Sequence, residues 1–386
     1  MKITLKNTPE QVELVKAMAS RNRDVAYEAQ TALAEFIGPV LAEVINQAPA
    51  LSNLFTTLQY NADDNPSIPL DLYHDIADED YVQVYSQSRA GGLPTSEVLP
   101  TSSELKLATY SLDSAVSFDR RYAAKSRMDV VAKTMTRVAQ EILIKQNKIS
   151  ANVVMNALSE AHKNNSIVLS ESAAIKRFVL ADLNHMITRS KRIVTSFQGG
   201  TPAGDRGRGV TDLIVSPELV EELRAIAYNP INTAGAPVGG TDAVRTADAI
   251  AQEAFSAAGA PSFYGINIIE LNEMGGTSLG TTERSFNSTY RTFGAANGTS
   301  IAHFDGTAGT EVFQADDELV LGIDRTRESL IRPVAVDAEN GGEFNLIADD
   351  QYSIRQNKIG YFGSLEEGRV VLDDRALIGT VIKTAT

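Results

Sequence analysis

The chain has 386 residues, 43% hydrophobic and 22% charged, which is the make-up of a folded globular protein with room for one large domain or two to three ordinary ones. It contains no Cys and no Trp, which excludes a disulfide framework, a Cys-ligated zinc site and a thiol nucleophile. With 49 acidic against 35 basic side chains the net charge is -14, which argues against tight nucleic-acid binding through neutralised phosphates and makes copies of the chain repel one another. Any self-association must overcome that repulsion with apolar area or paired charges.

The N-terminal stretch "MKITLKNTPEQVELVKAM" lacks the apolar core of a signal peptide, and no run of about 18 apolar residues occurs, so no membrane segment is expected. The Asn-x-Ser/Thr matches at Asn287 and Asn297 then read as coincidences. Residues 8 to 47 read as helix. Thr8 suits the N-cap, Pro9 the first helical position and Gln11 the place of a capping-box partner. Apolar residues recur at helical spacing through Val12, Val15 and Met18, then through Leu33, Phe36, Ile37, Val40, Leu41 and Val44. The polar stretch "ASRNRDVAYEAQ" between them predicts a break, and Gly38-Pro39 predicts a kink or interruption. Such a helix either packs on a core or serves as an arm clasping a neighbour.

"NADDNPSIPLDLYHDIADED", residues 61 to 80, is turn-rich and acidic. Two extended arms follow, Tyr81 to about Ser88 and about Glu104 to Phe118, joined by a loose linker of Gly, Pro, Ser and Thr. In the second arm Leu105 and Leu107 share one parity while Tyr110, Leu112, Val116 and Phe118 share the other, which predicts a bulge or a change of burial partner. A two-stranded hairpin is marginal alone in water, so this one must lie on its own domain or on another subunit.

Residues 120 to 163 hold the strongest helix signal, free of Gly and Pro. Met128, Val131, Met135, Val138, Ile142 and Lys145 mark one face, and a break is expected near Asn147. A second helix fits Glu171 to about Ile193, followed by the loop "QGGTPAGDRGRG". "VTDLIVSP" and "GINIIELN" read as strands, and "ELVEELRAIAY" and "TDAVRTADAIAQEAFSA" as helices. Residues 272 to 317, rich in Gly, Thr, Ser and Asn, read as loops with short strands. "DELVLGID", "SLIRPVAVD" and the remainder read as strands, with turns at Gly341-Gly342, Gly363 and Asp373-Asp374. Long helices first, an α/β stretch between and strands last make an α+β chain.

No chemistry converges in the sequence. His74, His162, His185 and His303 are dispersed without metal-binding spacing. The Asp pairs at 63, 316, 349 and 373 read as turn formers rather than paired catalytic carboxylates. "GTPAGDRGRG" lacks the Lys-Ser/Thr ending of a phosphate loop, and GxSxG and HExxH are absent. No catalytic, cofactor-binding or metal-ligating residue is assigned, and no cofactor or enzymatic activity is expected. Basic clusters at Arg120-Arg121 through Arg127 and Lys176-Arg177 through Arg192 read as solvated helix faces or partners of acidic neighbours.

The order of these parts resembles the major capsid protein of tailed bacteriophages, the Hong Kong 97 capsid fold. "YVQVYSQSRAGGLPTSEVLPTSSELKLATYSLDSAVSFDRR" leading into a long helix looks like that family's E-loop running into its spine helix. "DLIVSPELVEELRAI" resembles a strand and helix of its A-domain, and "NKIGYFGSLEEGRVVLDDRALIGTVI" the last strands of its P-domain. The resemblance spans residues 20 to 382. It implies an α+β fold with an N-terminal arm over 1-60, an E-loop over 61-118, a spine helix over 119-165, an A-domain over 166-325 and P-domain strands over 326-386.

The resemblance also implies a function. The chain would be a structural subunit of an icosahedral capsid that self-assembles as hexamers and pentamers. It would enclose double-stranded DNA without sequence-specific binding. It would reside in the virion after assembly in the host cytoplasm, with no membrane involved. Implied partners are copies of itself, a portal, separate scaffolding and cement proteins. An encapsulin-type compartment shell shares the fold and is the alternative, with an unrecognised enzyme more distant. The hairpin would be polar because it lies across a neighbouring subunit. Arg89 and the tip residues Gly91, Gly92 and Pro94 would meet that subunit's P-domain, with Arg89 facing Glu366 or Glu367. Only about 60 residues precede the hairpin, so no cleaved prodomain is expected. The tip has no Lys and Lys106 lies well along the second arm, so isopeptide crosslinking is not expected. An acidic balance suits a lining that encloses DNA without gripping it.

Overall fold

The computed structural model describes residues 8–46, 48, 50–61, 64–69, 104–165, 167–170, 178, 180–194, 209–228, 262–263, 265–276, 284–298, 302–303, 312–336, 343–349 and 356–382. Helix α1 (Pro9–Ala17) begins where the Thr8 hydroxyl accepts the Gln11 amide. The chain breaks inside the polar stretch. It resumes as α2 (Arg23–Asn46), where Asn22 Oδ1 accepts the Asp24 amide. α2 passes through Gly38 and Pro39 without the expected interruption. Pro39, which leaves the Glu35 carbonyl without its helical donor, lies with Glu35 on the exposed side of the helix. Of the apolar series expected on α2, Phe36 and Val40 are exposed.

Strands β1 (Thr56–Asn61), β2 (Ser67–Pro69), β3 (Glu104–Lys106) and β4 (Thr109–Asp119) follow. The second arm is interrupted at Leu107 and Ala108, where its apolar parity changes. Asp119 caps α3 (Arg120–Ala124) by accepting the Arg121 amide at 2.9 Å. Ser126, at φ 53°, turns the chain into α4 (Met128–Asn165). The 38 residues of α4 span about 57 Å. α4 runs unbroken through Asn147, whose Oδ1 accepts the Leu51 amide at 3.0 Å. The side chain that suggested a break is taken up by a tertiary bond and no longer competes with the helix backbone. Val131, Met135, Val138 and Ile142 are buried as expected, but Lys145 is exposed and Gln146 takes the inward place.

Next come β5 (Val168–Ser170), α5 (Leu180–Val194), β6 (Asp212–Val215) and α6 (Pro217–Tyr228), with Ser216 Oγ capping α6 through the Leu219 amide at 3.1 Å. After β7 (Ser262–Phe263) and β8 (Ile266–Glu270), a helix α7 (Ser285–Asn297) stands where loops were expected. Phe286, Tyr290 and Gly294 recur every four residues on its buried side, and Gly298 at φ 65° ends it in the left-handed region. That spacing was present in the sequence beneath the Ser/Thr/Asn-rich composition. The chain closes with β9 (Ala302–His303), β10 (Glu318–Ile323), β11 (Leu330–Val336), β12 (Asn345–Asp349), β13 (Lys358–Gly368), β14 (Val370–Val371) and β15 (Leu377–Ile382). Gly363, expected at a turn, lies in the middle of β13. A Cβ there would overlap the Phe344 ring, so glycine serves packing instead of chain reversal. The expected first arm at 81–88, the helix at 241–257 and the turn at Gly341-Gly342 lie outside the described residues.

The elements form two compact units. The first comprises Met1–Ser67, Lys106–Ser150 and Ile331–Val370, and the second Ile68–Leu105, Ala151–Leu330 and Val371–Thr386. In the first, β4 pairs with β13 from Thr109↔Gly368 to Asp119↔Lys358. β12 also pairs with β13, and β1 runs parallel to β11. The inner face of this sheet sets Phe118, Ile359, Tyr361 and Leu365 against Leu33, Ile37 and Leu41 of α2 and the apolar face of α4. In the second unit the strand order is β7-β8-β6-β10-β15-β5-β9. Strands β6, β10 and β15 are buried at every position, as expected of a sheet covered on both faces. The two units together are α+β.

Candidate functional site

The second arm of the expected hairpin, β4, lies on β13, and strand alternation there separates two adjacent glutamates. Ile359, Tyr361 and Leu365 face the core, so Glu367 does too and Glu366 faces outward. Glu367 is 0% exposed. Its Oε2 accepts Arg332 Nε at 2.7 Å and Gln146 Nε2 at 3.0 Å. Its Oε1 accepts the Tyr110 hydroxyl at 3.0 Å, and Arg369 Nη2 lies 3.2 Å from both oxygens. Arg332 Nη1 continues to Asn46 Oδ1 at 3.0 Å. Arg369 Nη1 reaches the Ser52 carbonyl at 2.8 Å, with the guanidinium 5.1 Å above the Phe55 ring. Residues from β4, α4 and β11, with Arg369 just after β13, thus meet on one carboxylate, and Asn46 of α2 joins through Arg332. Burial, with the Glu367 charge beside it, pushes the Tyr110 phenol up to about 12.

Glu366 keeps partial exposure. Its Oε1 accepts both Thr109 Oγ1 at 2.9 Å and the Tyr60 hydroxyl at 3.2 Å, leaving Oε2 unbonded among the described residues. Burial and the Glu366 charge raise the Tyr60 phenol. Of the two glutamates expected to meet Arg89 of a neighbour, Glu367 is buried and bonded within its own chain, and Glu366 is the more open. Arg89, Gly91, Gly92 and Pro94 lie outside the described residues. The parity of β13 could have identified the buried glutamate. Reading Gly363 as a turn hid it, because a turn would reset the alternation.

The outer face of the same sheet carries an apolar row. Ile347 pairs with Phe362 and Phe362 with Ala115 across three adjacent strands, and all three are exposed, Ile347 by 47% and Phe362 by 38%.

The second unit buries a different carboxyl. Glu318 on β10 is bonded to Ser216 Oγ, and burial, reinforced by Glu222 and Glu218, raises it to about 7. His162 Nδ1 accepts the Val168 amide at 3.0 Å, a structural bond. Asp373 caps its turn through the Arg375 amide at 3.0 Å and pairs with Arg327. Among the described residues no group of three or more His, Asp or Glu is placed to hold a metal ion, and no helix is long and apolar enough to cross a membrane.

No protein-family profile and no curated protein matches the chain. Among solved structures the chain is similar in fold to one from Microbacterium phage Oxtober96, with 13% identity, a TM-score of 0.47 and coverage of 86% of this chain and 90% of that one. It is similar to a chain of the capsid of the cyanophage P-SCSP1u, with 13% identity, a TM-score of 0.41 and coverage of 86% and 87%. It is also similar to a chain of the holo-SrpI encapsulin complex from Synechococcus elongatus PCC 7942, with 10% identity, a TM-score of 0.41 and coverage of 86% and 85%.

Proposed function

We propose that the chain is a structural subunit of an icosahedral virus capsid, assembling from copies of itself as hexamers and pentamers around double-stranded DNA. The observation that carries this reading is the anchorage of the expected hairpin. Its second arm is paired with β13 along all 11 residues of β4 and passes through α3 into the 38-residue α4. A polar segment whose second arm is anchored in a core beside a buried charge cluster suits contact with a neighbour better than chemistry at a pocket. In this reading residues 1-60 form the arm, 61-118 the E-loop, 119-165 the spine, 166-325 the A-domain and 326-386 the P-domain strands. Arg89 of one subunit meets Glu366 of the next, whose Oε2 is unbonded among the described residues. Portal, scaffolding and cement proteins are separate chains, and the shell forms in the host cytoplasm before residing in the virion.

The test is electron microscopy with mass photometry of the chain expressed alone and with its neighbouring genes. Hollow shells, or free hexamers and pentamers, are expected. A monodisperse monomer or dimer under every condition overturns the reading. Arg89→Glu is expected to weaken assembly, and unchanged assembly would remove the contact to Glu366.

A further inference from the structure

We propose that the acidic segment 71–80 of one copy docks on the cationic face formed by α3 and the first part of α4 of a second copy. This rests on the shell-subunit reading and names one of its contacts. Residues 120 to 148 hold eight Lys or Arg against two acidic residues, within a chain of net charge -14. Residues 61 to 80 hold seven acidic residues and no Lys or Arg, and five of the seven fall in 71–80. These stretches are opposite in sign and each is dense in charge.

The cations are arranged as a surface. On α4, Lys133, Arg137, Gln140, Ile144 and Lys148 follow one another at helical spacing, and all are exposed. They form a stripe turned away from the buried face of Val131, Met135, Val138 and Ile142. Ile144, 63% exposed, is an apolar side chain in the middle of the charge. Lys125 and Arg127, just before α4, are exposed cations as well. Lys125, Arg127, Lys133, Arg137 and Lys148 make no ion pair among the described residues. By contrast Arg284, Arg327, Arg332, Arg369 and Arg375 each have a carboxylate partner in their own chain.

Dimensions and chemistry fit. From Lys133 to Lys148 the stripe is about 22 Å long. Ten extended residues reach up to about 33 Å, enough to cover it. In an extended segment Asp71, Asp75 and Glu79 fall on one face, which opposes three carboxylates to the cations. Copies that repel one another at long range need a contact of this kind, with opposite charges concentrated at short range.

The experiment uses two full-length variants. One reverses the segment (Asp71→Lys, Asp75→Lys, Glu79→Lys), and the other reverses the face (Lys133→Glu, Arg137→Glu). Each alone is expected to raise the concentration needed for assembly by about tenfold or more, with far-UV circular dichroism unchanged. Mixing the two is expected to restore assembly, giving particles that contain both, because each supplies the other's complement. A chain carrying both reversals that assembles while the mixture does not places the contact within one chain and overturns the proposal. So does a face-reversed variant that assembles normally but loses co-purifying nucleic acid, which would make the face a phosphate contact. If either variant assembles like the unaltered chain, this contact alone is refuted. An unaltered chain that never assembles sinks the shell reading along with it.

Discussion

Each unit buries a glutamate, and the two behave in opposite ways. Glu367 sits between two guanidiniums, an amide and a phenol. Glu318 has a serine hydroxyl, with two further carboxylates nearby. Burial is common to both, so the partners make the difference. A buried carboxylate that gathers cations from several elements works as a lock on their relative register. A buried carboxyl without a cation takes up a proton near neutrality and ties the stability of its unit to pH.

The largest expected effect comes from removing the lock. Glu367→Ala leaves two buried guanidiniums facing each other and should cost about 3–5 kcal/mol in a denaturant melt. A loss below about 1 kcal/mol would mean that water reaches the cluster and the lock is not dry. Gly368→Ala comes next. A Cβ there would run into the Ala108 carbonyl and the Pro333 ring, and the expected loss is about 1–3 kcal/mol. An unchanged melting temperature would show that the sheet shifts freely where β4 begins.

The Glu318 comparison is sharpened by pH. The folded state holds this proton up to about 7, whereas the unfolded value is 4.5. Between those values the unfolded chain binds fewer protons, so the Glu318 contribution to stability falls as pH rises and levels off above about 7. Glu318→Gln should flatten that part of the profile and melt higher than the unaltered chain at pH 8. A parallel profile in the two proteins would remove the carboxyl as its source. The smallest effect is expected at Ile144→Ser, within about 0.5 kcal/mol for the isolated chain, since the side chain stands in solvent. A larger loss on melting the unassembled chain would mean that Ile144 is covered within its own fold.

The sequence by itself determined the local decisions. Thr8 and Pro9 start α1, Ser216 and Pro217 start α6, and Asp373 makes its turn, because capping and turn chemistry act over two or three residues. The parity switch after Leu107 located the interruption between β3 and β4, and the apolar spacing from Val131 to Ile142 named the buried face of α4. The tertiary structure decided whatever depended on partners far along the chain. Asn147 does not break α4 because Leu51, 96 residues away, uses its side chain. Gly363 is a strand residue because Phe344 fills the space beside it. Glu367 is a lock and Glu366 a surface group because the sheet turns one inward onto Arg332 and Arg369. A carboxylate's role follows from the charges folding brings to it, and those lie too far apart in sequence for local pattern to pair them.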